Sequence, residues 1–234
     1  MKNDFNYETF IFLSDKKLVI SVIQSNDASI IYEEKKLMDN NSSFLEIEKL
    51  NEFLEDNIFK IEKKIKNFIK EIYIILDTKK FLPIQVSIKN KNNGNILTTS
   101  NVSYSLNEVK EQCFKMYNQE KIIHMIIDNY CIDNKNFSYL PNDIKCQSFS
   151  LDLTFICLSN KLLKDLEKVM KKYQISINQI LSYDYITKVF NGDDQNLCKK
   201  AKEIIEGFNE NEVLIRKKIP KNKGFFEKFF NFFS

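Results

Sequence analysis

Ile122-Ile123-His124-Met125-Ile126-Ile127-Asp128-Asn129-Tyr130-Cys131-Ile132-Asp133 is the stretch on which the fold reading turns. It is β-branched and apolar for most of its length and holds the only histidine of the chain. That composition predicts a buried strand over Ile122–Ile132 rather than a helix. Downstream, Ser148–Leu158 alternates Phe149, Leu151, Leu153 and Phe155 on one face, the period-2 pattern of a half-buried strand. Asn160 then caps a helix running through Leu162, Leu163, Leu166, Val169 and Met170 to Tyr173.

Working upstream, Ile84–Ile88 reads as a strand, and Lys91-Asn92-Asn93-Gly94-Asn95 as a hairpin turn. Ser105 with Glu108 forms a capping box that opens a helix to about Tyr117. Nearer the N-terminus, Phe10–Leu13, Leu18–Ile23 and Ala28–Glu33 read as strands. Ser43 and Glu46 then cap a long helix through Phe44, Ile47, Leu50, Leu54, Ile58, Ile61, Ile65 and Phe68, and Ile72–Leu76 is a buried strand. Ser176–Leu181, Tyr183–Phe190 and Asp194–Phe208 complete the body as strand, helix and helix. The fold class expected is α/β (α+β mixed), with short connections.

The charge is unevenly distributed. From Val213 to Ser234 there are six basic residues and one acid, so the rest of the chain is slightly acidic although the net charge is +3. A near-neutral body is a poor nucleic-acid binder, because phosphate contacts need a basic face. The tail suits an anionic lipid surface instead. At about 100° per residue, Phe225, Phe226, Phe229, Phe230, Phe232 and Phe233 share an arc roughly 160° wide. Arg216, Lys217, Lys218, Lys221, Lys223 and Lys228 supply positive charge around it, and Pro220 and Gly224 separate it from the body. The expectation is a basic linker at 209–223 and a membrane-binding amphipathic helix at 224–234, reversible in attachment.

Little points to chemistry. Cys113, Cys131, Cys146, Cys157 and Cys198 form no CxxC pair and read as reduced core thiols, with no metal site expected. His124 reads as a satisfied core histidine, and Asp193-Asp194 as an exposed helix start. The N-terminal residues do not read as a signal peptide, and no apolar run approaches a membrane span.

The segment from the Gly94 turn through Ile96-Leu97-Thr98, Leu106-Asn107-Glu108-Val109 and the Ile122–Asp133 strand resembles the subdomain inserted into FtsA, a bacterial actin relative that acts in cell division. His124 and Asp133 align with the histidine and terminal aspartate of that family's strand, and the resemblance spans roughly residues 9–190. It implies an actin-like first subdomain (1–83 and 175–208), an inserted two-layer subdomain (84–174), and the C-terminal amphipathic helix. It departs at Tyr139-Leu140-Pro141-Asn142-Asp143, and the nucleotide-binding subdomains have no counterpart after Phe190. The family's phosphate loop falls on Phe12-Leu13-Ser14-Asp15-Lys16-Lys17, where the aspartate and glycine are lost and only Lys17 fits. The resemblance therefore implies a non-enzymatic adaptor without nucleotide or other cofactor. It would sit at the division site on the cytoplasmic face of the inner membrane and bind anionic lipids, other division proteins and further copies of itself. The family's FtsZ-gripping subdomain is missing, which puts direct FtsZ binding in doubt. The alternative is a PilM-like assembly protein of a pilus or secretion system, which shares the actin-like plan.

Overall fold

A computed structural model describes residues 7–38, 47–191 and 196–213 of the chain. It is a mixed α/β structure with two sheets and, among the described residues, five helices. The run Phe10-Ile11-Phe12-Leu13 explains the first sheet. All four residues are buried, which is the mark of a strand covered on both faces. This strand, β1 (Tyr7–Leu13), lies antiparallel to β2 (Lys17–Gln24), which carries β3 (Ile30–Leu37) at the edge. After helix α1 (Ile47–Ile65), β4 (Glu71–Leu76) adds parallel on the other side of β1.

The second sheet begins with β5 (Leu82–Lys91), followed by helix α2 (Thr99–Met116), β6 (Glu120–Ile132), β7 (Lys135–Phe137) and β8 (Ser148–Ser159). Its order is β5-β8-β6-β7, antiparallel throughout. Phe149, Leu151, Leu153, Phe155 and Cys157 of β8 face a core that α2 covers with Val102, Leu106, Val109 and Cys113. The opposite face is polar, and a row of hydrogen bonds crosses it. Ser87 of β5 donates to Asp152 of β8 at 2.7 Å, and Asn129 of β6 donates to Asp152 and to Asn136 of β7, each at 3.1 Å.

The chain returns to the first sheet through helix α3 (Asn160–Lys172) and strand β9 (Ser176–Ser182), which pairs parallel with β4. Helices α4 (Tyr183–Val189) and α5 (Leu197–Glu206) follow. The first sheet is thus covered twice. Ile11 and Leu13 pack toward α1 and α3, while Phe10 and Phe12 pack toward α4 and α5.

Several boundaries differ from the sequence reading. The long helix stops at Ile65 because Lys66 takes a left-handed backbone, so Phe68 falls outside it and is exposed. The Ser43–Glu46 cap lies outside the described residues. Helix α2 begins seven residues before Leu106, capped by Thr98 with Asn101. Ser105, expected as its cap, sits inside it and returns its hydroxyl to the Asn101 carbonyl. The Gly94 turn, with φ of +77°, leads toward α2 and not into a hairpin partner. The cap of α3 is Ser159, one residue earlier than read. Leu163, Leu166, Val169 and Met170 place α3 in the core of the first sheet, although the sequence reading assigned it to the inserted unit.

Candidate functional site

Two places in the fold hold concentrated polar chemistry. The first is the tight turn between β1 and β2, where the resemblance places a phosphate loop. The Ser14 hydroxyl accepts from the N–H groups of Lys17 at 3.0 Å and Lys16 at 3.3 Å, and donates to the Lys17 carbonyl at 3.0 Å. The amides that would have to reach an anion are therefore used inside the turn. The Lys17 ammonium lies over the Phe12 ring at 5.1 Å, and Phe12 meets Tyr183 edge-on at 5.3 Å. Burial, with the carboxylates of Asp184 and Asp15 adding to it, pushes the Asp77 carboxyl above the usual range.

The second place is a buried network around His124 at the junction of the two sheets. The Ser182 N–H, at the cap of α4, donates to His124 Nε2 at 3.0 Å. That leaves the ring proton on Nδ1, which donates to Glu212 Oε1 at 2.7 Å. Tyr185 of α4 donates its hydroxyl to Glu212 Oε2 at 2.8 Å and accepts from Asn209 Nδ2 at 2.9 Å. The side chains of His124 and Glu212 are 0% and 4% exposed. Burial and the Glu212 carboxylate push the Tyr185 phenol far above its ordinary value, which keeps it a donor.

Glu212 belongs to a segment that the sequence reading took as extended linker. Residues 211–213 instead pair with β6. The Ile127 N–H donates to the Asn211 carbonyl at 2.9 Å, and the Val213 N–H to the Met125 carbonyl at 2.8 Å. Asn211 also donates from its side chain to the Ser138 carbonyl. The outer edge of β6 is therefore paired with this segment at 125–127 and with β7 at 130–132. Sequence reasoning missed Glu212. Lying in Asn209-Glu210-Asn211-Glu212, it looks like one more solvated acid.

With the His124 and Glu212 side chains buried, the network ties β6, α4 and the C-terminal segment together. Asp133 likewise has a backbone task, since its carboxylate accepts from the N–H groups of Gln147 and Ser148. Among the described residues no group of acids, cysteines and histidine could hold a metal ion, and no helix is long and apolar enough to cross a membrane. The tail residues Arg216, Lys217, Lys218, Lys221, Lys223, Phe225, Phe226, Lys228, Phe229, Phe230, Phe232 and Phe233 lie outside the described residues, as do Asp193 and Asp194.

Neither a protein-family model nor a curated protein matches this chain in sequence. Solved structures do resemble it. The PilM–PilN type IV pilus biogenesis complex matches 76% of the chain with a TM-score of 0.48 and 4% identity, covering 48% of that structure's chain. The cytoplasmic domain of EpsL, an inner membrane component of the type II secretion system of Vibrio cholerae, matches 77% of the chain with a TM-score of 0.40 and 10% identity, covering 58% of its own. A Bacteroides thetaiotaomicron protein with an actin-like ATPase fold and unknown function matches 76% of the chain at a TM-score of 0.24 and 15% identity, covering 80% of its own. The likeness is one of fold. The chain spans about half the length of the PilM and EpsL chains it matches.

Proposed function

We propose that this chain is a non-enzymatic assembly adaptor of actin-like plan, working through protein contacts at the inner surface of a membrane. The observation that carries the reading is the filled turn at Ser14–Lys17. Its N–H groups bond within the turn, and an aromatic ring lies beneath Lys17. A fold that fills its phosphate position has surfaces to offer in place of catalysis. On this reading the first sheet with α1, α3, α4 and α5 is the actin-like unit, the second sheet with α2 the inserted one, and the phenylalanines and lysines beyond Val213 hold the protein to anionic lipid.

The setting placed first is a pilus or secretion machine, the setting named for the PilM and EpsL structures. A division adaptor stands second, on the resemblance at Ile122–Asp133 and the phenylalanine-rich tail. A fluorescent fusion separates them. Foci that follow a pilus or secretion machine are the expected result, a band at mid-cell would favour division, and an even membrane distribution would refute both. Deleting Gly224–Ser234 should disperse the protein, and Phe229→Glu with Phe230→Glu should abolish sedimentation with anionic liposomes.

A further inference from the structure

Strand β5 is ten residues long, pairs with β8 without a register break, and has no strand on its outer side among the described residues. The direction of its free groups follows from the ladder. Lys91 lies opposite Ser148, and one step on, the Asn92 N–H donates to the Gln147 carbonyl at 2.8 Å. Antiparallel ladders alternate, so even-numbered residues bond to β8 while the N–H and C=O groups of Gln85, Ser87 and Lys89 turn outward. Pro83 falls in the outward set, where its missing N–H costs no bond to β8.

The same odd-numbered side chains are exposed on the polar face, while Ile84 is buried and Val86 and Ile88 are half-buried on the other. Helix α2 runs along that apolar side, since Asn90 of β5 donates to Ser105 at 2.7 Å. Glu108, Gln112 and Met116 continue the Ser105 stripe at helical spacing, and all three are exposed. An added strand would have hydrogen-bonding groups along one side and the flank of α2 beside it.

Charge selects the occupant. The charged residues of β5 are Lys89 and Lys91, with no acid between Leu82 and Lys91. A second copy paired antiparallel about Ser87 would set Lys89 opposite Gln85 and Lys91 opposite Pro83, leaving both lysines without a counter-charge, and the chain's own tail is basic. That tail also departs from Val213, at the opposite edge of the sheet. Proline and lysine often block edge pairing, but here they stand at the two ends and leave Ile84–Ile88 clear. We propose that the β5 edge binds an extended acidic segment of another protein as an added antiparallel strand. Its carboxylates lie opposite Lys89 and Lys91, and its apolar side chains continue the side of the sheet that carries Ile84, Val86 and Ile88. This deepens the adaptor reading and rests on it for its cellular setting, whereas the binding itself is testable on the purified full chain.

The test uses a short fluorescent peptide alternating glutamate with isoleucine or valine, and a control peptide with lysine in place of glutamate. The acidic peptide should bind and slow hydrogen exchange at Gln85, Ser87 and Lys89 by about tenfold or more, with Ile84, Val86 and Ile88 unchanged. Ser87→Pro removes an outward donor without touching the β8 ladder and should weaken binding about tenfold, while Ser87→Ala, which also loses the Asp152 bond, should not. Lys89→Glu with Lys91→Glu should switch preference to the lysine peptide. No binding at roughly millimolar acidic peptide, protection at other strands, or concentration-dependent protection without peptide would overturn the proposal, the last by making a second copy the occupant. Localisation in the cell is a separate readout, so failure of the adaptor setting and failure of the edge are told apart.

Discussion

Replacing Glu212 by alanine is the sharpest test of the junction. The change leaves the His124 Nδ1–H and the Tyr185 hydroxyl, 2.7 and 2.8 Å from the carboxylate, without an acceptor in a site where His124 is fully buried. Each orphaned buried donor costs about 1–3 kcal/mol, so the two together cost about 2–6 kcal/mol. Against a whole stability of about 5–15 kcal/mol that is a large share. For a chain of this size it corresponds to a fall in Tm of roughly 4–24 °C. Calorimetry and urea unfolding give the total, and hydrogen exchange locates it. The amides of Ile127 and Val213, which bond across the segment, should lose protection before the amides of β8 do. Tyr185→Phe should cost about 1–2 kcal/mol alone and less in the Glu212→Ala background, where only the bond from Asn209 remains to be lost. A loss under about 1 kcal/mol, or unchanged exchange at Ile127, would show that the backbone pairing alone holds the segment and that the network reading is wrong.

Four further outcomes are expected. The Thr9 hydroxyl is buried and has no hydrogen-bond partner among the described residues, so Thr9→Val should stabilise by about 1 kcal/mol in urea unfolding; destabilisation would mean the hydroxyl is bonded. Burial pushes the Cys157 thiol up to about 12, with Cys113 beside it contributing, and the Cys198 thiol up to about 11, while Cys113 and Cys146 are raised as well. In the folded protein at mildly alkaline pH the half-buried Cys131 should therefore react first with a thiol reagent, and rapid labelling of the other four would refute this. Hydrogen bonds from Ser87 and then Asn129 hold the Asp152 carboxyl below the usual range. Its contribution to stability is full above the unfolded-state value of about 3.9 and is lost as pH falls through the lower folded value. Ser87→Ala should move the Asp152 titration, followed by NMR, back toward that ordinary value. Finally, millimolar ATP or GTP with Mg²⁺ should leave Tm unchanged, and a reproducible rise would overturn the reading of Ser14–Lys17.

Much of the fold is written locally. The Phe10-Ile11-Phe12-Leu13 run, the alternation through Phe149–Cys157 and the helical spacing of Leu50, Leu54, Ile58 and Ile61 each reveal an element and its buried face, because side-chain periodicity follows backbone geometry. The loss of an aspartate and a glycine at Phe12–Lys17 is read from the sequence, but the way Ser14 bonds the Lys16 and Lys17 amides is seen only in the fold. Helix starts were less secure. Thr98 with Asn101 and Ser105 with Glu108 are both plausible caps, and the earlier one wins because Val102 and Leu106 both pack into the second core.

What the sequence could not decide is pairing between distant segments. His124 and Glu212 lie 88 residues apart, and nothing in the polar stretch around Glu212 distinguishes it from a solvated acid. The same holds for α3, whose amphipathic pattern shows that it packs without showing on which sheet. Of the two outer edges of the second sheet, that of β6 is paired with residues 211–213 and β7, and that of β5 has no strand beside it among the described residues. Periodicity fixes which way a side chain faces. It carries no record of which backbone N–H and C=O groups find a partner, because every residue brings the same two groups and only the packed chain determines what lies beside them.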